Sequence, residues 1–137
     1  MGIVVNNLDK TQDFWINTLG FKLHLEAKEE SPYIDELLAI KDPYLTTVKL
    51  IDSKGFIIEL LKFGNYQVEI SWSGELKTTG LTHIALTVDN LDELVDNLKM
   101  QNYKTLSEIK TSPNKKVKVV FVKGPESIML ELVQELR

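Results

Sequence analysis

Two glutamates interrupt apolar runs at matching places. Ile57-Ile58-Glu59-Leu60-Leu61 and Met129-Leu130-Glu131-Leu132-Val133 each hold one carboxylate at mid-run. On a packed face an unpaired ionised carboxylate is costly or stays protonated; on a solvated face it is ordinary. Strand alternation leaves both readings open for a single glutamate, but two at equivalent places point to a shared task. His83, in Leu81-Thr82-His83-Ile84-Ala85-Leu86-Thr87-Val88, is a third polar group heading an apolar strand. A lone histidine there is commonly a satisfied structural residue. Beside carboxylates on one sheet face it makes a sulfur-free donor set suited to Zn, Ni, Co, Mn or Fe. The chain has no Cys, which excludes thiolate ligands, thiol nucleophiles and a disulfide framework.

The elements that must position these residues occur twice. Gly2-Ile3-Val4-Val5-Asn6-Asn7-Leu8-Asp9 and Ala85-Leu86-Thr87-Val88-Asp89-Asn90-Leu91-Asp92 superpose at a single offset, Asn7 falling on Asn90 and Asp9 on Asp92. In each, a β-branched run leads through Asn, a good helix N-cap, into helical spacing. Leu91, Leu94, Val95 and Leu98 form one apolar stripe, and the first copy repeats it less cleanly with Leu8, Phe14, Trp15 and Leu19, Thr11 standing in the place of Leu94. Gly20 and Asn102 stop the two helices, since both residue types tolerate the left-handed conformation.

Extended segments follow each helix. The first copy gives Phe21 to Ala27, Thr46 to Asp52, the turn Ser53-Lys54-Gly55 and Phe56 to Phe63. The second gives Lys104 to Ile109, Val117 to Val122, the turn Lys123 to Ser127 and Ile128 to Gln134. Each half therefore reads strand, helix, strand, strand, strand. The expected organisation is a single domain of two modules, 1–63 and 81–137, joined by a linker over 64–80.

Composition narrows the classes further. A chain of 137 residues with 43% apolar and 26% charged residues is ordinary globular material, large enough to bury a core without staples. Sixteen basic residues against 20 acidic ones leave a net charge of -4, with no footprint for nucleic acid or an anionic membrane surface. No apolar run spans a bilayer and no leader pattern opens the chain, so a cytoplasmic protein is expected. All basic residues but Arg137 are Lys, so a substrate anion meets no guanidinium fork elsewhere.

With His at the head of one module and Glu in the closing strand of both, the chain resembles the vicinal oxygen chelate superfamily, which includes glyoxalase I, methylmalonyl-CoA epimerase, extradiol dioxygenases and the fosfomycin and bleomycin resistance proteins. The resemblance covers nearly the whole chain and is carried by Gly2 to Phe21, Phe56 to Phe63, Thr82 to Leu91 and Phe121 to Val133. It implies an α+β fold whose two βαβββ modules form an open, barrel-like mixed-sheet cup, with a metal on the concave wall. It also implies that His83, Glu59 and Glu131 are ligands of a divalent metal ion. The family's fourth ligand, a second His, corresponds to the position before Met1. Either the chain as given begins late or three protein ligands suffice. His24, in Lys22-Leu23-His24-Leu25-Glu26, alternates away from Leu23 and Leu25 and faces solvent or the cup, where it is open to a role as a substrate contact or a substitute ligand.

Two closing-strand glutamates resemble the glyoxalase I pattern more than the dioxygenase or fosfomycin-enzyme pattern of two His and one carboxylate. The resemblance implies proton transfer next to a metal-bound carbonyl or hydroxyl of a small-molecule substrate, with Glu131 the base and Glu59 serving the opposite face. The scarcity of Arg argues against glutathione adducts, because their recognition in that family leans on basic side chains. A homodimer is expected from the same resemblance. The alternatives are a dioxygenase or epimerase of the superfamily, or a metal-free ligand-sequestering protein with Trp15, Tyr33, Tyr44, Tyr66 and Trp72 available to line a groove.

Overall fold

Asn7 and Asn90 start their helices by the same physics. The Asn7 side-chain oxygen accepts from the Lys10 amide at 3.0 Å and that of Asn90 from the Glu93 amide at 3.2 Å, satisfying donors that a first helical turn leaves without partners. The computed structural model describes residues 1–65 and 75–137, and the chain divides into two compact units, Met1–Ile70 and Ser71–Arg137.

The first unit runs β1 (Gly2–Val4), α1 (Leu8–Asp13), a π-helical turn (Phe14–Thr18), β2 (Lys22–Lys28), α2 (Tyr33–Leu38), β3 (Leu45–Ile51) and β4 (Ile57–Phe63). Its sheet has the order β1-β4-β3-β2, with β1 parallel to β4 and the other pairs antiparallel. The second unit runs β5 (Ile84–Thr87), α3 (Leu91–Met100), β6 (Lys110–Thr111), β7 (Val117–Lys123) and β8 (Met129–Glu135). Its order, β5-β8-β7-β6, repeats the first, again with only the β5–β8 pair parallel. The fold class is α+β, built from two βαβββ modules, each carrying an open four-stranded mixed sheet.

The sequence repeat is a structural equivalence. Gly2 pairs with Glu59, and Ala85, the residue on which Gly2 falls in the repeat, pairs with Glu131. One face of each sheet is core. In the first unit Ile3, Val48, Leu50, Ile58 and Leu60 are buried with Phe14, Trp15 and Phe21; in the second, Ile84, Leu86, Val120, Val122, Leu130 and Leu132 are buried with Leu91, Val95 and Leu98 of α3. Helix α3 packs on β8, and the Gln134 side-chain oxygen accepts from the Leu91 amide at 2.8 Å, fixing the start of α3 to that strand. In the turn between β3 and β4, Asp52 Oδ1 accepts from the Lys54 and Phe56 amides at 2.9 and 2.7 Å, and Gly55 takes a φ of 88°.

Three local expectations are corrected. The second module's first extended segment does not pair along Lys104 to Ile109: Thr105 makes a single bridge to Val122, and strand pairing begins only at Lys110. There the Ser107 hydroxyl donates to the Glu108 carbonyl at 2.8 Å, a local bond that competes with the ladder. Leu23 and Leu25 do not share a face. A register shift makes Leu23 pair with Leu50 and Leu25 with Lys49, so His24 is the extra residue of a β-bulge. Helix α2 is not foreseen by the repeat and has no counterpart in the second unit; Asp35 and Glu36 in its first turn favour its start, and Ala39 ends it at a φ of 55°.

Candidate functional site

Alternation along β8 decides how Glu131 is presented. Leu130 and Leu132 point into the core, so Glu131 lies on the opposite face, paired with Ala85 of β5 and Phe121 of β7. His83 precedes Ala85 by two positions and shares that face. The two side chains meet, His83 Nε2 lying 3.3 Å from Glu131 Oε2 with exposures of 34% and 27%. The ring packs edge-on to Phe121, centroids 5.2 Å apart, and His83 Nδ1 lies 2.8 Å from the Thr82 hydroxyl. A hydroxyl both donates and accepts, so Thr82 satisfies either imidazole tautomer. With Nδ1 protonated and donating to Thr82, the Nε2 lone pair is free to coordinate a cation.

The spacing of these two donors is that of a direct His–carboxylate contact and is also one that two ligands of a divalent ion take. Nitrogen and oxygen ligands sit about 2.1 Å from such a metal, which puts neighbouring donors about 3.0 to 3.4 Å apart. The His83–Glu131 separation falls in that range. Within neither unit, among the described residues, do three or more His, Asp or Glu side chains gather as a metal-binding group. The second unit thus offers two donors, with the remaining positions to be filled by other groups or water.

In the first unit Glu59 likewise turns from the core, Ile58 and Leu60 being buried on either side of it. Its surroundings differ. Lys49 of β3 is its register partner, and Lys49 Nζ approaches Glu59 Oε2 at 3.6 Å. The offset that carries Glu59 onto Glu131 carries Lys49 onto Phe121, the register partner of Glu131. Glu59 therefore faces an ammonium where Glu131 faces an aromatic ring and an imidazole. Met1 extends this edge of the sheet: its carbonyl accepts from the Glu59 amide at 2.7 Å, and its α-amino group donates to the Ile57 carbonyl at 3.0 Å.

Residues 1–121 match the sequence model of the Glyoxalase/Bleomycin resistance protein/Dioxygenase superfamily. The chain belongs to this superfamily. YwkD, an uncharacterized protein of Bacillus subtilis (strain 168), is 25% identical over 135 residues, covering 98% of this chain and 94% of that protein. A crystal structure of a glyoxalase family protein from Bacillus cereus has the same fold, with a TM-score of 0.91 at 22% identity over 100% of this chain and 92% of that one. A glyoxalase I mutant from Zea mays aligns with a TM-score of 0.69 at 21% identity, over 99% of this chain and 44% of that chain.

For this superfamily member the sequence singles out His83, Glu59 and Glu131. The structure brings His83 and Glu131 together, and it places Glu59 in the first unit beside Lys49. His24 is exposed on the β2 bulge. Trp15 is buried and no groove residue, whereas Tyr33 and Tyr44 are exposed; Tyr66 and Trp72 lie outside the described residues. Sequence reasoning passes over Thr82 and Phe121 beside His83, and Lys49 beside Glu59. The last two are within its reach, because the offset that pairs the glutamates also pairs the residues opposite them.

Proposed function

We propose that the chain is a divalent-metal-dependent lyase or isomerase of the glyoxalase I type, moving a proton next to a carbonyl or hydroxyl of a small oxygenated substrate. The observation that carries this reading is the His83–Glu131 pair, 3.3 Å apart and part-exposed on the face turned away from the core. In this reading His83 and Glu131 are ligands of the ion in the second unit, and Glu59 is the equivalent carboxylate of the first. A bound Zn, Ni, Co, Mn or Fe ion would supply Lewis acidity toward the substrate oxygen. Glu131 takes the proton from the neighbouring carbon. Thr82 holds the imidazole through Nδ1, and Phe121 keeps water from one side of the ring.

Solvent deuterium exchange tests the chemistry. The metal-loaded protein should exchange the proton next to the carbonyl in one of a set of hemithioacetals and acyl-CoA thioesters. Glu131→Gln should slow exchange by about 10²- to 10⁴-fold, the usual contribution of a general base. Exchange at the original rate would remove Glu131 as the base. A homodimer belongs to the same reading and is checked by sedimentation.

A second reading, a metal-free ligand-sequestering protein, is favoured by one observation. Tyr33 and Tyr44 are 66% and 64% exposed in the first unit, where Glu59 is already engaged by Lys49. Tight binding of an aromatic ligand, lost in a Tyr33→Ala/Tyr44→Ala variant of a protein that takes up no metal, would support it.

A further inference from the structure

Strand β2 has a partner on one side only. In the order β1-β4-β3-β2 it closes the first sheet, pairing with β3 and, among the described residues, with no other strand. The other sheet edges, β1, β5 and β6, are three, four and two residues long, whereas β2 runs for seven, all of them exposed except the half-buried Ala27. A long open edge is a template for another strand unless its side chains repel one. The Glu29 amide donates to the Leu45 carbonyl at 2.8 Å, so the alternation of an antiparallel ladder turns the backbone groups of Ala27 toward Thr47. The amides and carbonyls of Glu26 and Lys28 are left on the open side.

We infer that β2 docks on β2 of a second copy of this chain, antiparallel about a two-fold axis at Ala27. Charge selects that register. It sets Glu26 opposite Lys28 of the second copy and Lys28 opposite its Glu26, and it carries on to His24 opposite Glu30, so each carboxylate meets a basic side chain. Sliding by two residues sets Glu26 against Glu26 in one direction and Lys28 against Lys28 in the other. Registers centred nearer Leu23 cross the bulge at His24, which breaks the ladder. In the chosen register the outward amides of Glu26 and Lys28 meet the outward carbonyls of Lys28 and Glu26, and Ala27 is small enough for the close approach at the axis. On the other face Leu25, 49% exposed, comes diagonally against Ala27 of the second copy. The same patch serves both copies, as a two-fold contact requires, and the two four-stranded sheets join into one of eight strands. This gives a surface to the homodimer of the reading above but needs neither metal nor substrate, so the two fail separately.

The test is sedimentation equilibrium of the metal-free full chain over about 5 to 500 µM, where wild type should dimerise. Glu26→Lys and Lys28→Glu each set like charges opposite one another at both symmetry-related places, and each should weaken dimerisation at least about tenfold. An equimolar mixture of the two variants restores opposite charges across the axis and should associate within about threefold of wild type. Recovery in the mixture needs both variants folded, so misfolding does not imitate this result. Lys22→Glu changes net charge as Lys28→Glu does, but outside the paired stretch, and should leave association within about threefold. Hydrogen exchange reads the backbone of wild type directly: the Glu26 and Lys28 amides should slow about tenfold or more between the lowest and highest concentrations. A wild type that stays monomeric throughout overturns the inference, as does a dimer whose Glu26 and Lys28 amides exchange as fast as in the monomer. A dimer that both reversals leave intact, that Lys22→Glu disrupts equally, or that the mixture does not recover also overturns it, and a dimer surviving in those cases forms through another surface.

Discussion

Replacing Trp15 separates a core role from a ligand-groove role. The side chain is 1% exposed, and its ring meets Phe14 at 6.3 Å and Phe21 at 5.0 Å between centroids, both nearly perpendicular. Truncating a buried Trp to Ala costs about 3–5 kcal/mol, and each lost edge-to-face partner adds roughly 0.5–1.5 kcal/mol. Partial collapse of the site offsets some of this, so a loss of about 4 kcal/mol is expected for Trp15→Ala. That is a large share of the roughly 5–15 kcal/mol that holds a domain of this kind folded. With a urea m-value of about 2 kcal/mol/M, the unfolding midpoint should fall by about 2 M. Far-UV circular dichroism is the suitable probe, because the substitution removes a fluorophore. Trp15→Phe should lose less, since an aromatic remains between Phe14 and Phe21. A loss below about 1 kcal/mol for Trp15→Ala would refute the packing argument and return Trp15 to the set of groove residues.

Asn90→Ala should cost about 1 kcal/mol in urea unfolding, because the Asn90 side chain both accepts from the Glu93 amide and donates to the Glu93 carboxylate at 3.0 Å; an unchanged midpoint would show the cap to be dispensable. Thr11 is 1% exposed, and its hydroxyl finds no partner among the described residues. Thr11→Val, close in shape, should therefore raise stability by about 1 kcal/mol, and a loss instead would indicate a hydrogen bond that the hydroxyl does make. Asp35 is held below its ordinary carboxyl value of 3.8, first by the Ser31 hydroxyl and then by the Asp42 amide. A depressed folded value stabilises the fold above the ordinary carboxylate range, and the contribution disappears as pH falls through the folded value. Carboxyl NMR titration should place Asp35 below 3.8, and Ser31→Ala should move it upward; no movement would remove Ser31 as the main cause.

The parts of the fold legible in the sequence are those where one physical rule acts alone. The repeat is readable because the β1–β4 and β5–β8 pairings need the same apolar alternation and the same Asn cap in both halves. Gly20 and Asn102 take positive φ, as their residue types allow. The bulge at His24 is invisible in the sequence because alternation carries no sign of where a ladder slips. Helix α2 is hidden because its single short stretch, Tyr33–Leu38, cannot develop a periodic stripe. Of the candidate residues, types that stand out of place mark His83, Glu59 and Glu131. Thr82 carries no such mark, since a threonine in a strand is ordinary. Lys49 and Phe121 meet Glu59 and Glu131 as partners on the adjacent strands, and cross-strand contact is written in register rather than in spacing.

Metal stoichiometry is the most direct test of the claim that His83 and Glu131 hold a divalent ion. After equilibration with Zn²⁺ or Ni²⁺ and removal of loosely held ions, elemental analysis should find about one ion per wild-type chain and almost none in His83→Ala or Glu131→Gln of unchanged fold. A wild-type chain without bound metal, or one whose metal survives both substitutions, would contradict it.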